Sequence, residues 1–142
     1  MDVPAQVSGS VVSEGELFFF TPDCPIGIRN HIHICIKRNK RILLLTTCSS
    51  KTDTAYRLAI MKGLDINTFP VFTKNGTNKF TKDQTYVNCN NVITVSEHFW
   101  RQLIHERKVI PLEGHIDPLG LGLIANGIKK SPEVERWIKD LL

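Results

Sequence analysis

The tightest constraint on how this chain can fold lies in residues 27–50, G-I-R-N-H-I-H-I-C-I-K-R-N-K-R-I-L-L-L-T-T-C-S-S. Ile32, Ile34 and Ile36 alternate with His31, His33 and Cys35, and a second apolar run at 42–45 follows the basic stretch Arg38-Asn39-Lys40-Arg41. A period of two broken by a polar turn predicts a β-hairpin. Because side chains alternate faces along a strand, the three isoleucines are expected to bury together, leaving both histidines and Cys35 on an opposite, partly exposed face. In an antiparallel pair the start of the first strand lies beside the end of the second. Arg29 should therefore meet the hydroxyls of Thr46, Thr47, Ser49 and Ser50 at the open end of the hairpin.

With 142 residues the chain can form one domain with a sizeable core, and 42% hydrophobic with 23% charged residues excludes a disordered chain. The net charge of +4 is uneven: residues 37–82 hold ten Lys and Arg against only Asp53 and Asp65. That concentration suits a phosphate-rich partner and equally suits solvated loops. The cysteines at 24, 35, 48 and 89 form no C-x-x-C pair, which points to free thiols in a reducing compartment. No leader is apparent, and no apolar run approaches the roughly 20 residues of a membrane span. The expectation is a soluble, cytoplasmic protein with no membrane partner.

Residues 1–14 lack any period and are expected to form a flexible arm ahead of a single domain at 15–142. G-E-L-F-F-F-T at 15–21 reads as a strand closed by Pro22-Asp23. A short helix is expected from Asp53 or Thr54 to Gly63, then an edge strand at 68–73, where Pro70 cannot donate to a ladder. Asn75-Gly76 signals a turn, and the Lys/Thr/Asn-rich stretch after it an exposed loop. Tyr86-Val87 and residues 92–95 read as strand material around the polar 88–91. Ser96 should cap a helix with Phe99, Trp100, Leu103 and Ile104 on one face, followed by a brief strand at 109–112. Asp117-Pro118 opens a second helix and Ser131-Pro132-Glu133 a third, with Val134, Trp137, Ile138 and Leu141 on one face. Strands first and helices late predict an α+β domain, a small antiparallel sheet or barrel with helices at one side.

The opening G-E-L-F-F-F, a Pro/Gly loop, an Arg leading into an apolar strand, and a second strand running into T-T-C-S-S-K resemble the MazF/PemK (Kid-like) toxin family. The likeness follows the order of elements through most of residues 15–142. It departs at Arg29-Asn30, where the family usually has Arg-Pro, and in residues 51–84, which are longer than the family's loop. The resemblance implies a small SH3-like β-barrel with C-terminal helices. It further implies a homodimeric, metal-independent endoribonuclease with no cofactor that cuts single-stranded RNA and is neutralised by a protein antitoxin. It places catalysis on Arg29 and, within T-T-C-S-S-K, on Thr47 first, with Thr46 and Ser49 as alternatives.

RNA cleavage without a metal uses the adjacent 2′-OH as nucleophile and leaves a cyclic phosphate and a 5′-OH. A permanently cationic, forked guanidinium such as that of Arg29 suits the anionic phosphorane. Proton transfer asks for a group that titrates near neutrality, which makes His31 and His33 candidates. Lys37, Arg38, Lys40, Arg41, Ser49 and Lys51 are candidates for holding the RNA backbone. Plainer roles stand beside these: Arg29 can anchor Asp23 or Glu16, and the hydroxyls can be ordinary strand ends. The histidines can be surface side chains, and Trp100 and Trp137 suit a core better than base stacking. Cys24, His31, His33 and Cys48 can be drawn as a zinc site on paper, but their spacing follows no finger or ribbon pattern, so no metal is assigned. A different class of function is a non-catalytic SH3-like module that binds nucleic acid or protein through the same loops.

Overall fold

The computed structural model describes residues 12–142. Most of the expected arm lies outside the described residues. Its last part is packed: Val12 is buried in the cluster around Phe18 and Trp100, and Glu14 pairs with Lys37. Val12 and Glu14 thus pack against the sheet.

Three strands come first, β1 (Glu16–Phe20), β2 (Ile32–Asn39) and β3 (Ile42–Ser49). Then follow α1 (Thr52–Lys62), a 3-10 turn (Ile66–Thr68), β4 (Val71–Thr73) and β5 (Gln84–Ser96). The chain ends with α2 (Glu97–His105), β6 (Val109–His115), α3 (Pro118–Lys130) and α4 (Arg136–Lys139). The fold is α+β, one six-stranded antiparallel sheet in the order β4-β5-β3-β2-β1-β6, curled into a half-barrel. Among the described residues no helix is long and apolar enough to cross a membrane.

Local chemistry accounts for most of the boundaries. The β2–β3 turn is Lys40-Arg41, with Lys40 in the left-handed region at φ 57°. Ser96 Oγ accepts from the Phe99 N–H to start α2, and Asp117 Oδ1 accepts from the Gly120 N–H to start α3. The third C-terminal helix is shorter than its spacing suggests. Ser131 ends α3, donates its hydroxyl to Asn90 Oδ1 and accepts from the Glu133 N–H, which leaves a single turn at α4. Trp137 on that turn is 49% exposed rather than in the core. The polar residues 88–91 do not divide two strands. They form a bulge inside β5, where Thr46 pairs with Val92 and Thr47 with Asn88.

The sheet buries both faces, which overturns the expectation of a half-exposed hairpin. On one face Leu17, Ile34, Ile36, Leu44 and Val87 pack with Ile124 and Ile128 of α3 and Ile138 of α4. On the other, Phe18, Phe20, Cys35, Leu43, Leu45 and Val95 pack under Trp100 and Leu103 of α2. His33 and Cys35 belong to this second face and are fully buried. Burial pushes the Cys35 thiol up to about 12.

The sheet's two edges are linked by the β4–β5 loop. The His115 N–H donates to the Thr77 carbonyl at 3.0 Å, and Gly114 sits so close to the Asn78 carbonyl that a Cβ there would lie 1.8 Å from its oxygen. The loop is braced from within. Asn75 Oδ1 accepts from the N–H groups of Thr77 and Asn78, and Asn78 Oδ1 accepts from those of Asn75 and Phe80. Phe80 is thereby carried into the core cluster of the first face.

Candidate functional site

At the open end of the β2–β3 hairpin a cleft of about 350 Å³ is lined by Asn30, His31 and Ile32 from the entry to β2 and by Cys48 to Lys51 from the exit of β3. Phe80, Thr81, Lys82 and Thr85, from the loop into β5 and its start, form the third wall. Of the groups expected to converge here, Ser49 and Ser50 line the cleft and Arg29, Thr46 and Thr47 do not; His31 and Lys51 line it as well. The third wall was not legible as part of a site, because it begins 29 residues beyond Lys51. Its one signal is Phe80 set between Lys79 and Lys82, an aromatic among basic residues.

Two histidines two positions apart have opposite fates. His31 is half-buried on the cleft, and its Nδ1 donates to the Arg29 carbonyl at 2.9 Å. A carbonyl can only accept, so Nδ1 carries a proton, and in the neutral ring Nε2 is the acceptor. His33 instead stacks on Phe20 in the core, ring centroids 3.6 Å apart and 14° from parallel. Its Nδ1 donates to the His31 carbonyl, while Nε2 accepts from the Ile28 N–H at 3.2 Å and lies 3.4 Å from Thr47 Oγ1. Burial lowers its pKa to about 4, so the ring is neutral and serves as a fixed acceptor. The expectation that both imidazoles face a groove therefore holds for His31 alone. Gly27, at φ 67°, lets the loop pass over this stack; a Cβ there would sit 2.5 Å from the Phe20 ring and 2.8 Å from His33 Nε2.

The hydroxyls divide in the same way. Thr46 and Thr47 are buried in the sheet, and Thr47 Oγ1 accepts from Asn91 Nδ2 at 3.4 Å besides facing His33. Neither lines the cleft. Ser49 does, and its Oγ accepts from the Lys51 N–H at 3.2 Å. Cys48 also lines it, but burial raises its thiol far above the range in which a thiolate forms.

Arg29 occupies an exposed turn with Asn30, just before β2 begins, at the edge of the cleft rather than on its wall. The carboxylates that might have anchored it are engaged elsewhere. Asp23 accepts from the Thr21 hydroxyl and pairs with Lys108 at 2.9 Å, and these two partners hold its carboxyl below the usual range. Glu16 accepts from the Ser13 N–H. Among the described residues no carboxylate pairs with Arg29, Lys51 or Lys82. The basic turn is different: Lys37 pairs with Glu14 at 3.9 Å, Arg38 is held by Glu97, and Lys40 and Arg41 project from the far end of the hairpin. Across an eight-residue strand, that places them on the order of 25 Å from the cleft.

No protein-family model matches the chain. Nor does a search of curated proteins find a similar sequence. The site must therefore be read from its own chemistry. Among the described residues no three His, Cys, Asp or Glu side chains gather to hold a metal ion. The paper zinc set is split, with Cys24 in the cluster under α2 and Cys48 in the cluster of the opposite face. What the cleft offers is an imidazole, a serine hydroxyl, two ammonium groups without a carboxylate partner among the described residues, and a guanidinium at the edge. That is a set suited to an anion carrying a transferable proton.

Proposed function

We propose that the protein is a metal-independent endoribonuclease that cuts single-stranded RNA by attack of the neighbouring 2′-OH, leaving cyclic-phosphate and 5′-OH ends. The supporting observation is the meeting of His31, Ser49, Lys51 and Lys82 in one cleft beside the Arg29 turn. His31 Nε2 takes the 2′-OH proton, and the Ser49 hydroxyl donates to a non-bridging phosphate oxygen. Arg29 and the ammonium groups offset the added charge of the phosphorane, and one ammonium protonates the departing 5′-oxygen. Ser49, an alternative hydroxyl under the family resemblance, takes the role given first to Thr47. His33 acts as a positioning residue, holding the loop that carries Arg29 and His31 through its bond to Ile28. In this reading the half-barrel is a MazF/PemK-type, SH3-like barrel that works in the cytoplasm as a homodimer and is neutralised by a protein antitoxin.

One observation favours a second reading. Arg29 stands at the edge of the cleft rather than on its wall, as suits a non-catalytic module that only holds nucleic acid. Purified protein, with Arg29→Ala, His31→Ala and Ser49→Ala beside it, is incubated with mixed single-stranded RNA in EDTA and the product ends are mapped. Cyclic-phosphate and 5′-OH ends from the parent, strongly reduced in each variant, are expected. Intact RNA that is nevertheless bound would overturn the ribonuclease in favour of the binding module.

A further inference from the structure

Beside the cleft is a second cavity of about 360 Å³, between β1, β6 and the β4–β5 loop. The two cavities share Ile32, Phe80 and Thr81 and so lie side by side. Their linings differ in kind: the cleft carries His31, Ser49, Lys51 and Lys82, whereas the second cavity is walled by Leu17, Phe19, Ile32, Phe80 and Leu112. Two aromatic rings among aliphatic side chains next to unpaired cations match the alternation along a single strand of nucleic acid, flat apolar bases on a charged backbone. Its volume is at the low end of small-molecule sites, about 300–1,000 Å³. The walls are firm. The loop side is braced by Asn75 and Asn78 and clamped against Gly114, and Lys79 pairs with Glu113 across the mouth at 3.3 Å. That pair sets one donor and one acceptor at the mouth, where the edge of an inserted base would lie.

We infer that this cavity is a base-binding subsite, which takes one unstacked nucleobase of a single strand whose adjoining phosphate lies in the cleft. The inference rests on the nucleic-acid reading of that cleft but not on cleavage. It gives the protein a preferred binding register through stacking and shape, with the half-buried Phe19 supplying the aromatic surface and the largely buried Phe80 part of the wall. Double-stranded RNA is disfavoured, because a paired base must first be unpaired and unstacked to enter.

The test uses a short 2′-O-methyl oligonucleotide, which has no 2′-OH nucleophile, and walks a single abasic site along it while binding is followed by fluorescence anisotropy. One position should weaken binding by roughly 5- to 150-fold, the range of base–aromatic stacking. The plugging variant Leu112→Trp should lose a similar factor on the unmodified strand and lose its sensitivity to the abasic site. Because Leu112 lines this cavity and not the cleft, the variant keeps the salt-dependent attraction for the backbone. Phe19→Ala should behave likewise, and a circular-dichroism melt separates loss of the pocket from loss of fold. A flat walk overturns the subsite even if the protein cuts RNA. A single sensitive position in a protein that does not cut RNA upholds the subsite and removes the ribonuclease. Absence of any binding overturns both.

Discussion

At the turn end of the β2–β3 hairpin, Lys37 and Arg38 are met by Glu14 and Glu97, and Lys40 and Arg41 stand on a convex turn. At the open end Lys51 and Lys82 border a cleft, with Arg29 beside it and no carboxylate paired to any of the three among the described residues. The two ends carry similar formal charge. What separates them is compensation and concavity: a cation already held by a carboxylate in water offers a phosphate little, whereas unpaired cations around a recess concentrate their field. Counting charges along the sequence joined these ends into one basic region; the fold pulls them apart.

The sharpest way to break that comparison is to remove the proposed proton-transfer group from one end and charge from the other. His31→Ala should lower the cleavage rate by about 10²- to 10⁴-fold with little change in KM, the usual range for loss of a general acid or base. The double variant Lys40→Ala/Arg41→Ala should stay within about twofold of the parent at physiological salt. Single-turnover cleavage of a labelled RNA measures both. Equal losses at the two ends would mean that the hairpin acts as one continuous basic surface.

A second contrast concerns acid. The open end hangs on His33, whose imidazole burial holds down to about 4 in the folded chain, against about 6.5 when unfolded. Above pH 6.5 neither state takes up the proton and the stability is complete. Between 6.5 and 4 the unfolded chain binds a proton that the native state refuses, so stability falls as pH falls, by about 3 kcal/mol in all, with no further loss from this group below pH 4. Urea titrations at pH 7, 5.5 and 4 should show this loss, and His33→Gln should flatten it. In hydrogen exchange the Ile28 amide, which donates to His33 Nε2, should lose protection before the amides near the Lys40-Arg41 turn. A parent whose stability is flat across this window would mean that His33 is not the acid-sensitive point.

The open end also depends on a distant clamp, and the turn end does not. Gly114→Ala places a Cβ against the Asn78 carbonyl and should cost about 1–3 kcal/mol, as other overpacking changes do. It should also lift the loop bearing Phe80, Thr81 and Lys82 away from β6. RNA affinity should fall with stability, and the Arg38–Glu97 end should be untouched. Thermal melts beside anisotropy under matched conditions check this, and a loss of stability with full affinity would detach the loop from the site.

What the sequence made legible was local. The hairpin and the Ser96 and Asp117 caps follow from residues within a few positions of one another; the edge strand expected at 68–73 forms only at Val71–Thr73, after Pro70, because Ile66–Thr68 make a 3-10 turn. Strand pairing alone brought Ser49 and Ser50 to the open end as expected, but it did not show that Thr46 and Thr47 turn into the sheet or that His31 takes the place on the cleft wall expected of Arg29. His33 was misplaced because period two says which residues share a face, not whether a helix covers it, and α2 arrives more than sixty residues later. The pairing of Arg38 with Glu97 and the third wall at Phe80 to Lys82 are likewise long-range. Trp137 was drawn into the core by its spacing with Val134, Ile138 and Leu141, but a spacing has no force where only one helical turn forms.

The smallest effect is the most direct test of whether compensation, rather than position, silences the turn end. Glu14→Gln/Glu97→Gln removes both carboxylates and frees Lys37 and Arg38 without changing the cleft. If compensation is the cause, RNA affinity at low salt should rise by up to about fivefold, the worth of about 1 kcal/mol, and vanish toward 0.5 M salt as screening takes over. Stability should fall by a similar amount, since Glu97 also faces Arg101 within the first turn of α2. The cleavage position should not move, because the freed charges are a strand's length from the proposed phosphate site in the cleft. A new cleavage pattern would show that the turn end can seat RNA productively, and concavity would then cease to be what distinguishes the two ends.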